Sequence, residues 1–183
     1  TPKTSYINNI SDSQRAFESL NTKFPIVLKQ SVGSQTGIGV VILESMRSLD
    51  ATVQMGYYME LPLIVQEYIK TDYDVRVIVL DGEIKGAMKR KIITNDFRSN
   101  VSLGADAEPI ELTDEEVKNS IAAANAVKGR LVGVDFIPAK NREKDKPFIL
   151  EVNATPGLSG IESANKGTVS GIFNYFKNRE NWR

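Results

Sequence analysis

Phe148-Ile-Leu-Glu-Val-Asn-Ala-Thr-Pro-Gly-Leu-Ser-Gly-Ile-Glu162 is the stretch on which the reading of this sequence turns. It opens as an apolar strand, Phe148 to Val152, and breaks at Pro156-Gly157. Alternate residues of an extended backbone share a face, so Glu151 and Asn153 project one way while Leu150 and Val152 point into a core. A carboxylate and an amide oxygen then stand side by side at a strand end. Hard oxygen donors of this kind suit Mg²⁺, which takes one or two carboxylates and fills its shell with water and substrate phosphates. Taken alone, the pair could equally well cap a strand. A second acidic strand upstream, Leu131-Val-Gly-Val-Asp-Phe-Ile137, tips the balance. Asp135 lies there among apolar neighbours, where a carboxylate needs a cation or hydrogen-bond donors. The two strands read as a hairpin, and antiparallel pairing brings Asp135 within a few residues of Glu151.

Composition narrows the chemistry. The 183 residues hold 23 basic and 23 acidic side chains, so no net charge calls for nucleic acid or an anionic membrane. No cysteine and no histidine occur. Thiol and imidazole nucleophiles, imidazole bases and the usual zinc ligands are thereby excluded. The lack of cysteine fits a reducing compartment, and a cytoplasmic location is the expectation. No apolar run approaches the ~20 residues of a membrane span, and no signal-peptide core is seen. Carboxylates, amides, lysines, arginines and a borrowed metal are what remain.

Outward from the acidic strands, the chain divides into residues 1–22, a polar lead-in with a short helix after Ser11-Asp12, then 23–70 and 71–183. Phe24 to Gln30 reads as a strand, followed by Ser31-Val-Gly-Ser-Gln-Thr-Gly-Ile-Gly39 and a second strand from Val40 to Leu43. A glycine loop between two strands is neither the dinucleotide fingerprint nor a Walker loop. It can fold over phosphates as a lid, its N–H groups on the oxygens and Lys29 beneath, or be an ordinary hairpin turn. A helix follows over Ser45 to Met59, with Met46, Leu49, Val53 and Tyr57 on its apolar side. Leu63 to Ile69 is a strand with Gln66, Glu67 and Tyr68 at its exit, and Lys70-Thr-Asp72 connects two lobes.

In the second lobe, Asp81-Gly82 is the type I′ signal of a hairpin over Tyr73 to Lys91. Its return strand ends on Lys89-Arg-Lys91, which is either solvated edge protection or a greeting for an anionic substrate. Ile92 to Pro109 has little periodicity and carries Arg98 among small polar residues; such long segments are more often functional than idle. Thr113 and Glu116 form a capping box for a helix that buries Val117, Ile121, Ala124 and Val127 and stops at Gly129. Asn141 to Lys146 is the charged loop of the acidic hairpin. Thr168 to Tyr175 closes the chain as a helix with Val169, Ile172, Phe173 and Phe176 inward.

Glu151-Val-Asn-Ala-Thr-Pro-Gly-Leu-Ser-Gly-Ile-Glu162, Gly133-Val-Asp135, Asn95-Asp-Phe-Arg-Ser-Asn100, Gln66-Glu-Tyr-Ile-Lys70 and Gln35-Thr-Gly-Ile-Gly-Val40 together resemble the ATP-grasp carboxylate–amine ligases. Within that family the likeness is to the RimK group, which adds glutamate to the C-terminus of a ribosomal protein. The resemblance runs along nearly the whole chain in order. It implies an α+β fold of two lobes, each with a mostly antiparallel sheet and packed helices, with the nucleotide in the cleft between them. Residues 23–70 would be the small lid lobe and 71–183 the lobe with the Mg²⁺ site.

The resemblance also implies roles. Lys29 would touch the ATP phosphates, and Gln35, Thr36, Gly37, Ile38 and Gly39 would close over them. Glu67 and Tyr68 would offer backbone groups to adenine, and Asp74 would lie near the ribose. Arg98 would act at the reacting phosphate with Ser99 and Asn100 beside it. Asp135, Glu151 and Asn153 would hold Mg²⁺, with Mn²⁺ as a substitute. The implied chemistry is phosphorylation of a carboxylate by ATP and attack of an amine on the acyl phosphate. Its partners are a carboxylate acceptor (a peptide or small acid) and an amino-acid donor such as glutamate. Members of the family carry a further domain ahead of the position of Thr1, so this chain is expected to be the ATP-grasp portion of a larger protein or a short form needing a partner chain. A homo-oligomer is left open. The alternative is a regulatory module that binds ATP without turnover, although such a module could spare Arg98.

Overall fold

The computed structural model describes residues 1–32, 39–92 and 107–182. The chain separates into two compact units, Thr1–Lys70 and Thr71–Arg183.

The first unit is a four-stranded antiparallel sheet in the order β1-β4-β2-β3. Its strands are β1 (Thr4–Ile7), β2 (Ile26–Gln30), β3 (Val40–Leu43) and β4 (Leu63–Glu67). Alternation puts Ile26 and Leu28 of β2, with Leu63 and Val65 of β4, on a buried face. Helices α1 (Ser13–Ser19) and α2 (Met46–Tyr58) contribute Ala16, Leu49 and Val53 to the same core. The opening residues are more than a lead-in: β1 pairs with β4 along its length, so they complete the sheet edge. On α2 the buried positions are Leu49, Val53 and Gly56, while Tyr57 is 53% exposed. Gly56 is the inward residue because a Cβ there would come within 2.6 Å of Leu63 Cδ1. The helix therefore rides close on β4, and the rotation that brings Gly56 in carries Tyr57 out.

The second unit is a five-stranded antiparallel sheet in the order β7-β6-β5-β8-β9. The strands are β5 (Tyr73–Leu80), β6 (Glu83–Lys91), β7 (Ala107–Pro109), β8 (Leu131–Ile137) and β9 (Phe148–Asn153). Asp81 and Gly82 join β5 to β6 with φ of 52° and 80°, the paired positive angles of the expected turn. One face of the sheet, with Val75, Val77, Val132, Val134 and Phe136, packs on Ala124 of α3 (Asp114–Ala126). The other face, with Ile78, Leu80 and Met88, lies under α4 (Ser159–Ala164) and α5 (Thr168–Lys177) through Ile161 and Ile172. The turn at Pro156-Gly157 is thus followed by an additional short helix that the sequence pattern does not reveal.

Two further expected helix faces shift in detail. The inward row of α3 is Glu116, Ser120 and Ala124, and Val127 is 55% exposed. Arg142 explains why a glutamate can sit there: its Nε and Nη2 donate to the Glu116 carboxylate at 2.8 and 2.7 Å. That contact ties the loop at 141–146 to the start of α3, so this loop is more than solvated charge. The left-handed residue ending α3 is Lys128 (φ 54°), one position before the expected Gly129, whose N–H closes the helix on the Ala124 carbonyl at 3.0 Å. On α5, Ile172 is buried but Phe173 is 62% exposed.

A bulge in β9 matters most for function. Asp135 pairs with Glu151, yet Phe136 pairs with Ile149, so Leu150 is the extra residue. Ile149 and Val152 both pack against the core cluster. Three residues apart, they would lie on opposite faces of a regular strand; the bulge lets both face inward. The expected inward role of Leu150 passes to Ile149, and Glu151 stays opposite Asp135.

Candidate functional site

The sheet face under α4 and α5 changes character along its length. At one end it is apolar, with Ile78, Leu80 and Met88; at the other, the same alternation of β5 places Asp74 and Arg76 on that face. Across the ladder Arg90 stands opposite Asp74, Asp135 opposite Arg76, and Glu151 opposite Asp135. Four neighbouring strands thus deliver a continuous row of charges, two arginines among three carboxylates, with the like-charged Asp135 and Glu151 side by side at one end.

The row is tightly bonded. Arg90 donates to both oxygens of Asp74 at 2.7 and 2.6 Å and to Asp135 Oδ2 at 2.9 Å. Arg76 donates from Nε to Asp135 Oδ1 at 2.7 Å and from Nη2 to Oδ2 at 2.6 Å. It also stands 3.7 Å from Glu151. Asp74, Arg90 and Asp135 are 6%, 4% and 3% exposed, so these ions have left water and depend on one another. Burial alone would lower the pKa of Arg90, but the Asp135 and Asp74 carboxylates outweigh it and raise it. For Asp135 burial pulls upward, and Arg90 with Arg76 more than offsets it, so the carboxyl is held below its usual range. Glu151 goes the other way: desolvation, then the Asp135 carboxylate facing it, raises its pKa against the pull of the arginines. Its side chain is still 56% exposed, so solvent screens these influences.

Asp135, Glu151 and Asn153 are therefore neighbours, as the sequence expects, but Asp135 already has the partners that its burial demands. Asn153 pairs with Gly133 across the ladder, and its Oδ1 accepts the N–H of Thr155 at 2.9 Å. Among the described residues no three His, Cys, Asp or Glu side chains come together as a metal cage. Two carboxylates and an amide oxygen are instead the partial donor set that suits Mg²⁺ arriving with phosphates. The chemistry of the donors fits the ion.

Gly133 fixes the turn after these residues. A Cβ there would lie 2.9 Å from Pro156 Cβ, on a ring that cannot swing aside. Gly133→Ala is expected to cost about 1–3 kcal/mol through overpacking. Equilibrium unfolding checks this, and an unaltered stability would show that the turn has room to adjust.

The basic end of β6 already has acidic partners among the described residues. Lys89 and Lys91 both reach Glu108 of β7, at 2.8 and 2.5 Å, while Arg90 points into the buried row. The hydrogen bonds from Lys89 and then Lys91 hold the Glu108 carboxyl down at about 2.

In the first unit, Lys29 of β2 donates to Gln66 Oε1 at 3.1 Å, and Gln66 donates in turn to Thr4 Oγ1 at 2.7 Å. Gly39 opens β3 at φ 85°, its carbonyl accepting from the Gln30 N–H at 3.2 Å. Glu67 exchanges bonds with Lys3: its N–H donates to the Lys3 carbonyl at 2.9 Å, and its carboxylate accepts the Lys3 N–H at 2.8 Å. The Glu67 N–H is thus used by the chain itself. Tyr68 follows, half-buried. Gln35, Thr36, Gly37 and Ile38, and likewise Arg98, Ser99 and Asn100, lie outside the described residues.

Arg76 and Arg90 are the residues that the sequence reading missed. Alternation carried the signal for both: Arg76 shares parity with Asp74, and Arg90 lies on the face opposite Lys89 and Lys91. Read without partners, each looks like a surface arginine on a strand.

The RimK-like ATP-grasp domain matches residues 1–171. A probable alpha-L-glutamate ligase of Aliivibrio fischeri is 38% identical over 150 residues, 81% of this chain and 48% of that protein. The chain thus spans about half the length of such curated relatives. Among solved structures, the ATP-grasp ligase PsnB is similar with a TM-score of 0.66 and 25% identity, over 90% of this chain and 49% of that one. The D-alanine–D-alanine ligase of Bacillus anthracis shares the fold alone, with a TM-score of 0.65 and 19% identity over 96% of this chain and 57% of its own. No helix among the described residues is long and apolar enough to cross a membrane. With two antiparallel sheets, helices packed on each, and Asp135 facing Glu151 across the ladder, the chain belongs to the RimK-like ATP-grasp family.

Proposed function

We propose that this chain is the ATP-grasp domain of an ADP-forming carboxylate–amine ligase, adding an amino acid such as glutamate to a peptide or protein C-terminus. The observation that carries the reading is the pairing of Asp135 with Glu151 beside Asn153, in a chain of this family. PsnB, the similar ligase, was solved with a precursor variant, Mg and ADP, which supports both nucleotide and metal here. Asp135, Glu151 and Asn153 would hold Mg²⁺, and the ion would neutralise phosphate charge during phosphoryl transfer. Lys29 would meet the phosphates, and Gln35 to Gly39 would contribute to the same nucleotide site. Glu67 and Tyr68 would border adenine and Asp74 the ribose side. Arg98, with Ser99 and Asn100, would stabilise charge on the acyl group as the amine attacks the acyl phosphate.

Release of ADP, measured across a panel of carboxylate and amine pairs with the full-length protein, tests the activity. A full panel without amine-dependent ADP release would remove the ligase reading. The metal assignment has its own test. Glu151→Gln combined with Asn153→Ala removes one charge and one ligand oxygen. Mg·ATP affinity should fall by at least the roughly 10–100-fold that loss of an outer partner of a metal costs. Stability should barely move, because Glu151 is exposed. Equal affinity in calorimetric titration would refute the site.

A further inference from the structure

We infer that Arg76 is a placeholder for the metal ion, bonding the Asp135 and Glu151 carboxylates until a divalent cation displaces it. The inference rests on the metal reading above. Both Asp135 oxygens are occupied: Oδ1 by Arg76 Nε at 2.7 Å, Oδ2 by Arg76 Nη2 at 2.6 Å and Arg90 Nη2 at 2.9 Å. Three of the four lone-pair sites of the carboxylate are in use, and a cation on either oxygen would sit against a guanidinium whose positive charge opposes it, so one of the two arginines must give way. Arg90 is poorly placed to yield. Its side chain is 5% exposed and is anchored by two further bonds to Asp74. Arg76 is 14% exposed, and among the described residues its ion pairs go only to Asp135 and Glu151. Its guanidinium approaches both carboxylates that the cation would use.

The exchange has a chemical consequence. A guanidinium has five donors and no acceptor, so once freed from Asp135 it seeks another anion. An ion that arrives with phosphate oxygens supplies that anion; a bare ion does not. The placeholder thus favours metal bound to nucleotide over free metal, and it does so without contributing a ligand.

Mn²⁺ is the probe, titrated by calorimetry into the full-length wild type, Arg76→Met and Arg76→Lys, each with and without a non-hydrolysable ATP analogue. Without nucleotide, Arg76→Met should bind Mn²⁺ about tenfold or more tightly than wild type, the equivalent of one or two charge-assisted bonds no longer to be broken. Its gain in Mn²⁺ affinity on adding the analogue should shrink. Arg76→Lys should fall between, since an ammonium lacks the fork that spans both oxygens. A merely structural arginine would leave Mn²⁺ affinity unchanged or weaken it on substitution, and that result overturns the inference. Should Arg76→Met fail to fold, Arg76→Lys decides by the same criterion. If wild type binds Mn²⁺ with the analogue in a Glu151-dependent way while neither variant gains affinity, the placeholder alone fails. If wild type binds no Mn²⁺ with the analogue, the metal reading fails and takes the placeholder with it.

Discussion

Arg90→Met is expected to destabilise the second unit by about 3–5 kcal/mol at neutral pH, the cost of breaking a buried ion pair from one side. The size of the effect follows from what Arg90 holds. It is 4% exposed and gives three hydrogen bonds to two carboxylates that are themselves almost wholly buried. Methionine fills much the same volume, so the loss is one of charge and donors more than of packing. The pH dependence identifies the cause. In wild type the Asp135 pKa is depressed, so its contribution is present above the unfolded value and is lost as pH falls through the folded one. In the variant, Asp135 loses one of the two arginines that hold its pKa down, and its folded pKa moves upward. A raised pKa favours the fold below the unfolded value and penalises it as pH rises. The gap between wild type and variant should therefore narrow from pH 7 toward about pH 4, where free aspartate titrates. Urea unfolding at the two pH values measures it. A deficit equal at both would assign the loss to packing, and no deficit at pH 7 would mean that the row is held without Arg90.

Adding Asp74→Asn to Arg90→Met should recover part of the loss, because one buried charge disappears with its partner. The two substitutions share a hydrogen-bond pair, so their effects should not add. A double variant that loses the full sum of the single effects would show that Asp74 and Arg90 contribute independently.

The distinction between what alternation foretold and what it did not is visible in this row. Period-two patterning located β5, β6, β8 and β9 and placed Glu151 near Asp135, because strands with one buried face fix their own register. Turn chemistry gave Asp81-Gly82 and capping chemistry gave Thr113 with Glu116, both local to a few residues. What local patterning could not supply was partnership across strands. Asp135 was recognised as a buried acid in need of a cation, but whether that cation was a metal or Arg76 depended on two strands 59 residues apart in sequence. The bulge at Leu150 was hidden for the same reason: its sole sign is a mismatch of register with β8. Helix faces failed where a small or charged residue replaced an apolar one, as Gly56 does against Leu63 and Glu116 does with Arg142. In each case hydrophobicity ranks the wrong residue as buried.

Arg98→Ala should lower ligase turnover by roughly 10²–10³-fold, the range found when an oxyanion donor is removed, while ATP affinity changes far less. The expectation follows from where charge develops. Ground-state ATP already carries its full phosphate charge, which Mg²⁺ and Lys29 would neutralise. The acyl oxygen gains charge only as the amine attacks, and an interaction made there alone appears in turnover and not in binding. Arg98→Lys should rescue poorly, since an ammonium lacks the planar fork that can bridge a phosphate and a carbonyl oxygen at once. The measurement needs a form of the protein that turns over, with ATP affinity titrated on the same preparation. Equal losses in turnover and affinity would make Arg98 a phosphate clamp. Absence of turnover even in the full-length wild type would favour the ATP-binding module.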